Sequence, residues 1–222
     1  QYGKQIPGFT IPQSLDAIFS QGAGTVLVIN VFDAAKHTTA VTDETKTVKN
    51  GLLKLDNAPI GVVTIKDSEG AAVDYVLGTD YTIDDYGNFT VISSAIANDE
   101  VLKFSYNKLD VSKITADDIK GEYNEETGIR TGLKQLDLAY NLFGFKAKIL
   151  IAPVFSEETA IATELVTLSA KYKALAYIDA PVGTTVAEAI AGRGPLGEIN
   201  FNINSKRTEL LFPNLKKYDP ST

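Results

Sequence analysis

The chain has 222 residues and no cysteine, methionine or tryptophan, and its only histidine is His37. The missing thiols exclude disulfides, thiolate catalysis, iron–sulfur clusters and most structural zinc sites. A reducing compartment fits that composition. A lone histidine without cysteine leaves only a carboxylate-assisted role, and nothing around AAKHTTAV supplies an orienting partner. His37 is therefore expected on a surface loop. Long hydrophobic runs are also absent: none approaches the roughly 20 residues that span a bilayer. The opening QYGKQIPGFTIP has neither a basic region nor an apolar one of the kind that marks secretion. With no methionine even at position 1, the chain reads as a piece of something longer, cut at both ends. Positive charge is scarce too, 21 Lys and Arg against 28 Asp and Glu, a net charge of −7. Nucleic acid and anionic membrane are unfavoured partners, because binding phosphates takes a concentrated cationic face.

What is present is a globular composition, 44% hydrophobic and 22% charged, organised around residues 132–213. That stretch alternates helix-period and strand-period patterns three times: LKQLDLAYNLFG, AKILIAPVF, SEETAIATELVTLSAKYKAL, AYIDAP, TTVAEAIAG and ELLFP. Parallel neighbours need a crossover helix between them, so the alternation predicts an α/β layer with a mostly parallel sheet and flanking helices. Upstream, residues 8–24 predict a helix with Leu15, Ile18 and Phe19 on its apolar side. TVLVINVFD, a near-continuous β-branched run, predicts a strand buried on both faces that pairs with the later ones. From Ala35 to Ser112 the helical pattern disappears. Short alternating runs take its place, LLKL, IGVVTIK, AAVDYVL, YTID, FTVIS and VLKFSYN, with hairpin turns expected at residues 67–70 and 84–88. These predict an inserted all-β sandwich or barrel over 36–112, interrupting a discontinuous α/β domain of 1–35 and 113–222. Val73, Tyr75 and Leu77 should share one face. Beyond it, Thr115 with Asp118 and Thr185 with Glu188 have capping-box spacing, Ser156 with Glu157 and Glu158 marks a helix start, and Leu133, Leu136, Tyr140 and Phe143 form an expected buried stripe. Residues 192–206 read as a polar loop and 214–222 as a tail.

Chemistry has few places to reside. Asp33 and Asp179 fall at strand C-termini, the edge where open α/β sheets carry ligands. They make the best pair for a small hydrolase-like enzyme with the β segment as a cap. No strand leads into a phosphate-cradling glycine turn, and GRGPLG at 192–197 follows a helix, which is the wrong context. No serine stands in a nucleophile elbow. The acidic pairs Asp84-Asp85, Asp117-Asp118 and Glu125-Glu126 lack calcium-loop spacing and read as turns and caps. No catalytic residue, cofactor or metal is expected. A glycan-binding or protein-binding β module is the remaining rival.

The order of motifs points elsewhere. IPGFTIPQSLDAIFSQGAGTVLVINVFD, then TGIRTGLKQLDLAYNLFGFKAKILIAPVF and AYIDAP, resemble the core of contractile phage and prophage tail sheath proteins, with Lys148 in AKILIAP a small departure. DYTIDDYGNF is similar to the extra domain of many prophage sheaths. The resemblance spans most of residues 3–213. It implies a structural subunit that stacks with neighbouring sheath subunits around a tail tube, meets baseplate proteins, and contracts to drive the tube through the host envelope. It also implies a virion component assembled in the bacterial cytoplasm, with the β segment facing outward. The family's terminal arms and large C-terminal region have no counterpart here, so the isolated chain is expected to be monomeric or weakly oligomeric.

Overall fold

A computed structural model describes residues 5–22, 24–192 and 205–215. The chain separates into two compact units, one from Gln1–Asp16 and Phe32–Ile114, the other from Ala17–Val31 and Thr115–Thr222. Helix α1, Thr10–Phe19, opens the described chain with Leu15, Ile18 and Phe19 half-buried.

Among the described residues the first unit holds six antiparallel strands in two sheets. β1 (Thr38–Thr47), β6 (Val101–Leu109) and β3 (Ile60–Lys66) form one, in the order β1-β6-β3; β2 (Leu52–Lys54), β5 (Asn88–Val91) and β4 (Tyr81–Ile83) form the other, in the order β2-β5-β4. Period-two alternation drives their packing. In β6 it buries Leu102, Phe104 and Tyr106, and these meet Tyr81 and Phe89 of the second sheet in one core. Phe89 stacks on Tyr81 at 4.8 Å between ring centroids and meets Phe104 edge-on at 5.5 Å. Such geometries add to the ordinary gain from burial, about 1.5–3 kcal/mol for a phenylalanine.

The predicted hairpin at 84–88 is present: Asp84 accepts from the backbone N–H groups of Tyr86 and Asn88, and Gly87 holds a positive φ of 80°. A Cβ there would meet the Asn57 carbonyl at 2.9 Å. The turn at 67–70 also forms, with Asp67 accepting from Glu69 and Ala71. It leads into no strand, however. AAVDYVL is irregular; Val73 and Tyr75 still pack on the core, but Leu77 is exposed, because the run makes isolated bridges rather than a ladder that would hold the alternation.

The second unit carries the parallel sheet. β7 (Ile149–Leu150), β8 (Leu175–Asp179) and β9 (Thr208–Leu211) lie in the order β7-β8-β9. Helix α4, Thr159–Tyr172, buries Ile161, Ala162, Leu165, Leu168 and Ser169, the stripe a 3.6 period dictates. Two short helices begin on capping boxes at the predicted residues: α2 (Ala116–Lys120) on Thr115 and Asp118, α5 (Val186–Ala191) on Thr185 and Glu188.

Several expectations are corrected. Among the described residues the parallel sheet of the α/β layer has only three strands, none of them from the segment before the β region, and the antiparallel strands form two separate sheets. TVLVINVFD forms no strand. Residues 25–33 are half-buried or exposed without ladder pairing, since an apolar run becomes a strand only where another edge is free to bond it. The helix expected from Gly132 begins as a 3-10 turn over Gly132–Leu138 and becomes α-helical only in α3, Ala139–Phe143. Leu133 and Leu136 eclipse at the three-residue period and are buried, whereas the change of period leaves Tyr140 and Phe143 more than half exposed. Ser156 starts no helix. It lies in a 3-10 turn, Phe155–Glu157, and α4 begins after Glu158 with no side-chain cap. His37 is buried, 1% exposed, rather than on a loop surface. GRGPLG beyond Gly192 and the tail beyond Leu215 lie outside the described residues.

Candidate functional site

The two aspartates proposed for catalysis fall in different units, and each is engaged in local structure. Asp33 accepts a hydrogen bond from the Ala35 N–H at 2.9 Å and so closes its own turn. Its backbone N–H donates to Nδ1 of His37 at 3.0 Å, and the imidazole lies 6.2 Å from the Phe32 ring. A turn that needs the histidine as acceptor explains why His37 is inside. Close by, the Asp110 N–H donates to the His37 carbonyl at 3.0 Å, Thr39 Oγ1 donates to Asp110 at 2.7 Å, and Lys113 Nζ donates to the Thr38 carbonyl at 2.6 Å. These bonds bind the residues where β1 begins to those where β6 ends.

Asp179 stands where a ligand-binding α/β sheet would place it, at the C-terminal end of β8. Its partner is Ser156, which is fully buried. Ser156 Oγ donates to Asp179 Oδ2 at 3.1 Å and accepts from the Asp179 N–H at 3.1 Å, while the Ser156 N–H donates to the Ala152 carbonyl at 2.7 Å. The serine staples the turn after β7 to the end of β8. With the only histidine in the other unit, a serine so committed is a structural hydroxyl and not an activated nucleophile. The next residue after β8 continues the stitching: Ala180 N–H donates to the Leu211 carbonyl at 3.1 Å, and Asn214 Nδ2 to the Ala180 carbonyl at 3.1 Å. Val154, in the turn after β7, holds a φ of 71°. For a β-branched residue this costs about 1–3 kcal/mol, sustained by the surrounding bonds.

A second constellation explains the TGIRTG motif. Gly121 and Gly132 cross back to back: a Cβ on Gly121 would lie 1.9 Å from the Thr131 carbonyl oxygen, and one on Gly132 2.4 Å from that of Ile119. Only glycine permits this approach, and both have positive φ. Between them, residues 122–131 double back, with Thr131 N–H donating to Glu122 O at 3.0 Å and Arg130 over the Tyr123 ring at 4.1 Å. The 3-10 turn that follows is tied to α4 by Lys134 with Glu164, 2.6 Å, and by Asp137, which accepts from Lys171 at 2.5 Å and from the Tyr172 hydroxyl. Partial burial raises the Asp137 pKa, but these donors and the nearby Arg130 charge outweigh it and hold the carboxyl below its ordinary value. Burial first, then the Asp137 carboxylate, pushes the Tyr172 phenol well above its usual range.

The acidic pairs serve turns and caps as expected. Asp84 closes its hairpin, Asp118 its capping box, and Asp117 pairs with Lys120 at 2.8 Å. Among the described residues no group of three or more His, Asp or Glu is placed to hold a metal ion, and no helix is long and apolar enough to cross a membrane. Sequence reasoning missed β1, whose TTAVTDETKT is too polar to resemble a strand. The available signal was Asn50-Gly51, a two-residue hairpin signature, with φ of 53° and 73°, the Lys49 N–H bonded to the Leu52 carbonyl at 2.9 Å and the Leu52 N–H to the Lys49 carbonyl at 3.0 Å.

Taken together, the strand ends and the glycine crossing define a mixed α/β chain whose polar groups are spent on holding turns against strands. Over an alignment of 227 positions that takes in the whole chain, it is 43% identical to a protein named tail sheath protein from Burkholderia phage BcepMu, and the match spans 47% of that relative. The chain thus spans about half the length of the curated relative it matches, and the resemblance to tail sheath proteins holds from end to end. Residues 31–120 match a family described as a protein of unknown function. No solved structure matches.

Proposed function

We propose that the chain is part of a structural subunit of a contractile phage tail sheath. In this reading the subunit stacks with its neighbours around the tail tube, meets baseplate proteins, and shortens to drive the tube through the host envelope. It is a virion component assembled in the host cytoplasm, and neither nucleic acid nor membrane is a partner. The observation that carries the reading is the 43% identity to a tail sheath protein along the entire chain. The described architecture supports it. In this reading 1–35 and 113–222 make a discontinuous, incomplete core that carries the parallel strands of 149–211, and 36–112 is an inserted domain with two antiparallel sheets that share their own core. Work in such an assembly comes from interfaces with two packings, so no residue carries a catalytic, cofactor-binding or metal-binding role. Engagement of Asp33 in its turn and of Asp179 with Ser156 favours this over the hydrolase-like alternative.

Electron microscopy of the full-length parent protein tests the reading: striated tubular assemblies are expected, and uniformly dispersed particles would overturn it. The 222-residue chain alone should elute from gel filtration as a monomer, a point that a stable hexamer would refute.

A further inference from the structure

The turn from β1 into β2 carries a reactive pair. Asn50-Gly51 is the only asparagine followed by glycine in the chain. At such a pair the asparagine amide is open to attack by the next backbone nitrogen, because glycine has no Cβ to obstruct the approach. The Gly51 nitrogen bonds to Cγ of Asn50, the Cγ–Nδ2 bond breaks, and ammonia leaves with the proton given up by the Gly51 amide. Water then opens the five-membered imide at either carbonyl. One product is aspartate; the other is isoaspartate, whose main chain runs through Cβ and Cγ and is one methylene longer.

The fold sets when this can happen. Asn50 and Gly51 have φ of 53° and 73°, and Lys49 and Leu52 exchange both backbone bonds across them, at 2.9 and 3.0 Å, so the turn is type I′. In that turn ψ of the first central residue is about 30°, the mirror of type I. Cβ of Asn50 and the Gly51 nitrogen then lie nearly opposite about the Cα–C bond, whereas the ring closes only when they are nearly eclipsed. Bonds on both sides resist the swing. The Asn50 N–H donates to Asn98 Oδ1 at 2.7 Å, and the Gly51 carbonyl accepts from the Val91 N–H at 2.8 Å. Just before the turn, Val48 is fully buried and its carbonyl accepts from the Asp99 N–H at 2.9 Å.

We propose that Asn50 is a site of spontaneous deamidation to aspartate or isoaspartate, and that the closed β1–β2 turn holds it in check, so that the modification proceeds from molecules in which the turn has opened. Isoaspartate lengthens the main chain between Lys49 and Leu52. Reclosure then carries the Leu52–Thr90 and Leu53–Phe89 pairs out of register, and Leu53 packs on the shared core. The damage falls where the chain passes from one antiparallel sheet to the other. The inference uses only this turn, and so stands whether or not the chain belongs to a sheath.

The test is mass spectrometry of peptides spanning residue 50 after the chain has been held at mildly alkaline pH, folded and in urea. In urea, Asn50 should be converted ahead of every other asparagine. In the folded chain its conversion should be slower by about tenfold or more, as for a turn that is open in about a tenth of molecules or fewer. Asn98→Ala removes the acceptor of the Asn50 N–H and should speed the folded conversion about two- to tenfold while leaving the rate in urea unchanged. Amide exchange should show protection of β2 lost in the isoaspartate product and retained in Asn50→Asp, since aspartate tolerates a positive φ. Faster conversion of another asparagine in urea, equal rates in the folded and unfolded chain, no effect of Asn98→Ala, or an isoaspartate product with β2 still protected would overturn the proposal.

Discussion

The two units differ in where most of their aromatic side chains lie. In the antiparallel unit the aromatic rings are inside: Phe89 and Phe104 are fully buried, and Tyr106 and Tyr81 nearly so. In the unit with the parallel sheet, the fully buried large residues are aliphatic, Ile161, Leu165 and Ile178, while Tyr140, Leu142 and Phe143 are 58%, 66% and 55% exposed. The sheet itself repeats the contrast. Leu150, Ala176 and Ile178 are buried on one face, whereas their neighbours Ile149, Leu175 and Leu211 on the other remain exposed. A sheet of parallel strands ordinarily has both faces covered. Both units leave aliphatic side chains outside, Val62 and Leu77 in the first and Val182 and Ile190 in the second, so the contrast lies in the rings and in the uncovered face of the parallel sheet.

The comparison can be broken first where the antiparallel core is tightest. Phe89→Ala removes a ring in contact with Tyr81 and Phe104 and should cost about 3–5 kcal/mol. Denaturant unfolding followed by amide exchange in β5 and β6 would measure it; a loss below about 1 kcal/mol would mean that the core is looser than its geometry. In the other unit the sharpest point is backbone rather than side chain. Gly132→Ala must displace the Ile119 carbonyl from a positive-φ position and should cost about 3 kcal/mol. Unaltered exchange protection of α2 would count against the crossing.

The smallest effect is electrostatic. Asp137 has its carboxyl held below the ordinary value, so its contribution is full above the unfolded pKa and is lost as pH falls through the folded one. Asp137→Asn should therefore reduce stability by roughly 0.5–1.5 kcal/mol at neutral pH. It should also flatten the loss on acidification below about pH 4, near the ordinary aspartate value. Parallel pH profiles of variant and parent would contradict that linkage.

Much of the local structure was legible in the sequence because short-range chemistry decides it. Thr115 with Asp118, and Thr185 with Glu188, can satisfy helix N-termini whatever surrounds them, and both do. Asp84 through Asn88 closes a hairpin by bonds within five residues. The α4 stripe and the alternation of β6 each follow from a period. The candidate site was legible only in part. Asp179 does lie at a strand end, but its partner Ser156 is 23 residues away and looked like a helix cap.

What the sequence by itself determined was the inventory and the local signals: no thiol chemistry, an acidic balance, the caps, the turns and the motif order shared with tail sheath proteins. The tertiary structure alone decided which segments found partners. TVLVINVFD is the more apolar run, yet it joins no ladder, while polar TTAVTDETKT runs the length of β6. Backbone hydrogen bonds between strands depend on a free edge at the right distance and register, and side-chain hydrophobicity does not encode where that edge will be. For the same reason His37 is inside: its Nδ1 meets a backbone N–H that only the folded turn brings to it.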